Sequence, residues 1–220
     1  MAIIAECGQN HFTIGEALQL LHLAHHNGAD LVKFQLFDST LLYKEHNPSE
    51  LTFREARSLY ELGEKMGIEV FFSVFDLEKV DWCEEIGVKR YKIAACSFPN
   101  KASVVKAVWE TGKPVIFSVA NGTPAEVMGE LSLYCIPEYP TRIEDIDWDE
   151  MAKHDGFSDH TIGLDAAKKA LERGNYIIEK HFCFSHDYGT DAEWGMTPEE
   201  LKELVEWEKQ VVSVPLYNQG

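Results

Sequence analysis

Eight short runs rich in β-branched and aromatic residues, at 3–10, 30–37, 69–75, 90–95, 115–120, 131–135, 157–161 and 176–184, fill almost the whole chain. Each ends in polar side chains and is followed by a helical pattern. Eight strands alternating with eight helices is the arithmetic of a (β/α)8 barrel, a TIM barrel of one domain. Such barrels carry their chemistry at the carboxyl ends of the strands, where this chain has Glu6, Asn10, Lys33, Gln35, Lys92, Ser118, Asp159, His160, Glu179 and His181.

The helix boundaries agree with that reading. Leu18, Leu21, Leu23 and Ala24 form an apolar stripe that stops at Asn27-Gly28, and similar glycine stops fall at Gly67, Gly87, Gly112 and Gly174. Five helices ending in glycine just before a strand predict parallel strands joined by crossovers, since hairpins would need tight turns between alternating runs. Thr197-Pro198-Glu199-Glu200 opens a last helix over 198–212, with a capping hydroxyl, a proline at its first position and a glutamate at its third. Residues 1–214 thus read as one barrel and 215–220 as a frayed tail.

With 220 residues, 45% hydrophobic and 26% charged, the chain can bury one substantial core. Its formal net charge of −17 repels polyanions, which excludes nucleic acid and anionic membrane as partners. A small anionic substrate then requires a few cations gathered in one place. Cys7, Cys83, Cys96, Cys135 and Cys183 are odd in number and widely spaced, which suits buried thiols better than a disulfide framework or a zinc knuckle. No signal core or spanning apolar stretch is present, so a cytoplasmic protein is expected.

Side chains alternate across a strand, so parity sorts the barrel interior from the helix layer. Glu6, Gly8 and Asn10 share one face of the first strand, Lys33 and Gln35 of the second, Lys92 of the fourth, Ser118 of the fifth, and Glu179 and His181 of the eighth. Two lysines meeting at one mouth make a binding spot for phosphate or carboxylate. The alternative is that Lys33 and Lys92 only pair with Glu6 and Glu179. A charge inside a barrel is costly unless paired or functional. His181 at the end of the last strand can ligate a metal or carry a proton. Asp159 and His160 are adjacent, point to opposite faces and should not pair directly, whereas His22, His25 and His26 belong to the surface of the first helix.

Several motifs resemble one family in combination and in order, over residues 3 to about 200. They are Ile4-Ala5-Glu6-Cys7-Gly8-Gln9-Asn10-His11, Gly28-Ala29-Asp30-Leu31-Val32-Lys33-Phe34-Gln35, Phe75-Asp76, Tyr91-Lys92-Ile93-Ala94, Tyr139-Pro140-Thr141, Ser158-Asp159-His160-Thr161-Ile162-Gly163 and Glu179-Lys180-His181-Phe182. Together they resemble the catalytic barrel of the N-acetylneuraminate (sialic acid) synthases. The resemblance implies condensation of phosphoenolpyruvate with the open-chain aldehyde of an N-acylated amino sugar, aided by a divalent cation, manganese or magnesium. It implies that Lys33, Lys92 and Ser118 hold phosphoenolpyruvate, that Glu6 serves sugar hydroxyls or a proton, that Asn10 and Tyr139 shape the sugar side, and that His181 is one of two metal-binding histidines.

The chain also departs from that pattern. Gly189-Thr190-Asp191 is followed by Ala192 where the family has its second metal histidine, with Glu193 and His186 as the nearby substitutes. Ala95 replaces a phosphate-donor serine, Val119-Ala120-Asn121-Gly122 replaces Thr-Gly-Met, and Ile136-Pro137-Glu138 replaces small polar residues. The family's small C-terminal antifreeze-like domain is not recognisable, so a homodimer or a separate chain supplying it are the expected arrangements. Two other readings stay open. One is a catalytically lapsed barrel that binds a phosphorylated or sugar ligand as a partner subunit. The other is a lyase using Lys92 as a Schiff base, its pKa depressed by Lys33.

Overall fold

A computed structural model, which describes residues 1–97, 101–120 and 131–213, shows eight parallel strands closed into a TIM barrel in the order of the sequence. The strands are β1 (Ala2–Glu6), β2 (Leu31–Leu36), β3 (Glu69–Val74), β4 (Tyr91–Ile93), β5 (Val115–Val119), β6 (Leu131–Cys135), β7 (Gly156–Asp159) and β8 (Ile177–His181). Around them lie α1 (Ile14–His26), α2 (Ser39–Tyr43), α3 (Phe53–Met66), α4 (Leu77–Ile86), α5 (Ala102–Glu110), α6 (Trp148–Met151), α7 (Asp165–Glu172) and α8 (Pro198–Ser213). The helix expected between β5 and β6, the Asn121-Gly122 departure and the tail 215–220 lie outside the described residues.

Local chemistry explains the helices. Thr13 with Glu16 and Thr52 with Glu55 close capping boxes that satisfy the first backbone donors of α1 and α3. The expected box at α8 forms too: Thr197 N donates to Glu200 Oε2 at 2.8 Å and Glu200 N donates to Thr197 Oγ1 at 3.3 Å. All five expected glycine stops have positive φ, from 68° at Gly112 to 95° at Gly174. On α1 the buried face is Ala17, Leu20, Leu21 and Ala24, with Leu18 and Leu23 packed only at its edges. A period of 3.6 selects that set over the stripe read from the leucines alone. His22, His25 and His26 are exposed, and four of the five cysteines are buried, all five being free thiols.

Two hydrophobic layers position the site. The larger one joins the outer faces of the strands to the helices. Inside the barrel, Ile4, Phe71, Ile116, Leu133 and Ile177 make a dry floor. One step further toward the carboxyl end, the inward positions of β1, β3, β5 and β8 turn polar, as Glu6, Ser73, Ser118 and Glu179. The expected first strand, 3–10, stops at Glu6 because the chain turns at Gly8, with φ of 23°. A Cβ at Gly8 would collide with the Glu6 carboxylate, so glycine is what lets the backbone fold over that side chain. Among the described residues no helix is long and apolar enough to cross a membrane.

Candidate active site

Strand register sets the site. Glu6 on β1 lies beside Lys33 on β2 and beside His181 on β8, Ser73 on β3 lies beside Lys92 on β4, and Ser158 on β7 lies beside Glu179 on β8. The side chains converge above the apolar floor. Lys33 Nζ is 2.5 Å from Glu6 Oε2 and 3.5 Å from Glu179 Oε2, while Lys92 Nζ is 3.6 Å from Glu179 Oε1. Lys92 Nζ donates to Ser118 Oγ at 2.6 Å, Gln35 Nε2 donates to Glu6 Oε1 at 3.0 Å, and Ser158 Oγ donates to Glu179 Oε1 at 2.9 Å. Glu6, Lys33, Lys92, Ser118, Ser158 and Glu179 are all buried. Two ammonium groups therefore straddle one carboxylate at distances longer than a hydrogen bond.

The two lysines differ electrostatically. Burial pulls the Lys33 ammonium down, but Glu179 and Glu6 outweigh it, and its pKa ends above the ordinary value. Burial also pulls Lys92 down, and there Glu179 compensates only in part, with Lys33 adding repulsion, so its pKa stays below the ordinary value. The lowering at Lys92 is thus chiefly the effect of burial. Burial pushes the Glu179 carboxyl up, yet Lys33, Lys92 and the Ser158 hydroxyl hold it well below the usual carboxylate range.

Around this centre stands an aromatic rim. His160 Nδ1 lies 3.1 Å from Ile136 O, and burial, reinforced by His181, lowers the His160 pKa to about 3, so its ring is neutral. Tyr139 lies 4.4 Å from the His160 ring and 5.7 Å from that of Trp194, which in turn lies 6.0 Å from His181. His181 Nδ1 is 3.3 Å from Asp191 Oδ2, an ion pair without an aligned hydrogen bond. Burial would lower the His181 pKa, but the Asp191 carboxylate reverses this and raises it.

Two residues read from sequence into the mouth are elsewhere. Asp159 faces the helix layer, where its Oδ2 pairs with Lys180 Nζ at 3.1 Å and its Oδ1 accepts from Thr161 N at 2.8 Å. It follows Ser158, whose hydroxyl faces inward, so alternation sends it outward. Asn10 lies beyond the end of β1, where alternation no longer holds. Its amide is spent on the β8 loop, donating to Phe182 O at 3.1 Å and accepting from Asp191 N at 2.8 Å. Sequence reasoning passed over Ser158 as a partner of Glu179, and missed Asp191 and Trp194. Parity offered a signal for Ser158, whereas loop residues such as Asp191 carry none.

The cation implied by the resemblance needs donors beside His181. Ala192 is buried and has none, Glu193 is exposed, and His186 is engaged with Ala192 O and Glu200 Oε2, both at 3.2 Å. Among the described residues no three histidine, cysteine, aspartate or glutamate side chains gather as a metal-binding set. Manganese and magnesium ask for about six ligands, mostly oxygens. His181 and Asp191, already paired with each other, would supply only two protein donors, leaving water or substrate oxygens to complete the set. A manganese titration followed by calorimetry is expected to show no stoichiometric tight site in the wild-type protein. One-to-one binding abolished by His181→Ala would contradict this.

Comparison with known proteins gives a consistent result. The NeuB family profile matches residues 20–215. An uncharacterised protein of Methanocaldococcus jannaschii is 31% identical, over 92% of this chain and 68% of its own length. The N,N'-diacetyllegionaminic acid synthase of Legionella pneumophila is 30% identical, over 93% of this chain and 70% of its own. Among solved structures, the N-acetylneuraminic acid (sialic acid) synthetase of Leptospira borgpetersenii, crystallised with citrate, superposes with a TM-score of 0.89 at 27% identity, covering 99% of this chain and 87% of that one.

Proposed function

The chain belongs to the NeuB family, and from that premise we propose that it condenses phosphoenolpyruvate with the open-chain aldehyde of an N-acylated amino sugar. Carbon 3 of phosphoenolpyruvate bonds to the aldehyde carbon, whose oxygen takes up a proton. Water adds at carbon 2 and inorganic phosphate leaves, giving a 3-deoxy-2-keto sugar acid. The names of the Legionella and Leptospira relatives support a sugar-acid product.

The observation that carries the reading is the convergence of two buried ammonium groups, Lys33 and Lys92, on the Glu179 carboxylate at 3.5 and 3.6 Å, with the Ser118 hydroxyl beside Lys92. Lys92 already donates to Ser118 Oγ and Ile93 O, and the long Glu179 contacts leave a further ammonium proton for an arriving phosphate or carboxylate. In this account Lys33, Lys92 and Ser118 hold phosphoenolpyruvate against the floor. Glu6, steadied by Gln35, faces the added water or a sugar hydroxyl. His181, backed by Asp191, donates to the aldehyde oxygen. Tyr139, with His160 behind it, forms an apolar wall for the sugar chain. The free thiols suit a reducing cytoplasm.

Release of inorganic phosphate is the test. It is expected only when phosphoenolpyruvate and an N-acylated amino-sugar aldehyde are both present. Tight phosphoenolpyruvate binding with no release across a panel of such sugars would favour a lapsed barrel. A borohydride-trapped pyruvate adduct on Lys92 would favour the Schiff-base lyase.

A further inference from the structure

The segment that follows β2 is tied to the loop after β1 and carries a second tyrosine. Asp38 caps α2, its Oδ1 accepting from Leu41 N at 2.9 Å, and the helix ends at Lys44 in the left-handed region, with φ of 63°. Tyr43, the last residue of α2, is thereby turned toward the loop after β1. Gln9 Nε2 donates to the Tyr43 hydroxyl oxygen at 2.7 Å. Gln9 has little freedom of its own: its Oε1 accepts from Asn47 Nδ2 at 2.6 Å, and its backbone oxygen accepts from Thr190 N at 3.2 Å. Because the phenol oxygen accepts from Gln9, the phenol proton is left to donate outward. The ring is held edge-on against Phe37 at 5.7 Å, yet 41% of the residue remains exposed.

Tyr43 is also near the chemistry. Gln9, which holds its hydroxyl, accepts from Thr190 N, and the next residue pair repeats the contact, Asp191 N donating to Asn10 Oδ1 at 2.8 Å. Two tyrosines thus connect to the Asp191–His181 pair, Tyr43 through Gln9 and the 190–191 segment, and Tyr139 through the His160 ring, which lies 5.5 Å from that of His181. Tyr139 is backed by aromatic rings, whereas Tyr43 is backed by a fixed amide that aims its hydroxyl. We infer that Tyr43 is a specificity-determining residue of the acceptor site, its hydroxyl donating to a polar substituent of the sugar chain, a hydroxyl or the acyl carbonyl.

This inference rests on the amino-sugar reading above, and its test is chosen to separate the two. The probe is the open-chain alditol of an N-acylated amino sugar, which cannot react, titrated calorimetrically into the protein saturated with phosphoenolpyruvate. Wild type is expected to bind it, and Tyr43→Phe, which keeps the ring, is expected to bind it about tenfold more weakly, with phosphoenolpyruvate affinity unchanged. An alditol lacking the contacted substituent should bind both proteins equally. Equal alditol affinity in the two proteins, or equal losses for alditol and phosphoenolpyruvate, overturns the role of Tyr43. No alditol binding to wild type overturns both this inference and the acceptor class. Binding that Tyr43→Phe weakens, in a protein that releases no phosphate, leaves the inference standing while the condensation fails.

Discussion

Lys92→Met is expected to lower kcat/KM for phosphoenolpyruvate by about 100- to 1000-fold, while the protein keeps most of its stability. Methionine retains the length and apolar stem of lysine and removes the ammonium. Truncating one partner of a buried charged contact with an anionic ligand typically costs about 2–5 kcal/mol. The fold should lose far less, because Lys92 is held less firmly than Lys33, with Glu179 as its ion-pair partner at 3.6 Å. Steady-state phosphate release and thermal unfolding of the same preparation check both halves. A large drop in melting temperature with unchanged kcat/KM would show that Lys92 is a structural charge only.

Glu179→Gln should behave in the opposite way. Glu179 is the carboxylate between two buried ammonium groups, so neutralising it leaves two cations facing Glu6 alone. Leaving a buried charge uncompensated costs about 3–5 kcal/mol, which a domain of this size can lose only at the risk of partial unfolding. The pH dependence follows from the direction of the Glu179 shift. Its pKa in the folded protein lies below the ordinary value of 4.5, so its stabilising contribution is complete above that value and is lost as pH falls through the folded pKa. Denaturant unfolding from neutral to acid pH should show wild type losing stability below about 4.5, while Glu179→Gln starts lower and loses less over that range. Parallel curves would refute the assignment.

Much of the barrel and of its charged mouth was legible in the residues. Glycine stops and capping boxes follow from backbone chemistry that operates within a few positions, and alternation carries Glu6, Lys33, Gln35, Lys92, Ser118, Glu179 and His181 to one face wherever the chain is extended. The same rule misled where the strand had already ended. Gly8 turns the chain with φ of 23°, so Asn10, two residues on, braces the β8 loop instead of facing a ligand. At Asp159 the motif drew attention to a carboxylate, but Ser158 held the inward parity and Lys180 took the acid into the helix layer. Asp191 and Trp194 follow β8 and Tyr43 ends α2, in segments whose placement is fixed by contacts far away in sequence, such as Asn10 with Asp191 and Gln9 with Tyr43. No local pattern encodes those. The substitution at Ala192, by contrast, was plain in the sequence, and the structure shows it as a buried side chain with no donor to offer.

A crystal structure of the chain soaked with phosphoenolpyruvate tests the central claim most directly. The account predicts the phosphate and carboxylate within about 3 Å of Lys33 Nζ, Lys92 Nζ and Ser118 Oγ, with Glu179 yielding part of its hold on both ammonium groups. Phosphoenolpyruvate bound at another place, or absent at saturating concentration while the lysines keep their present carboxylate partners, would contradict it.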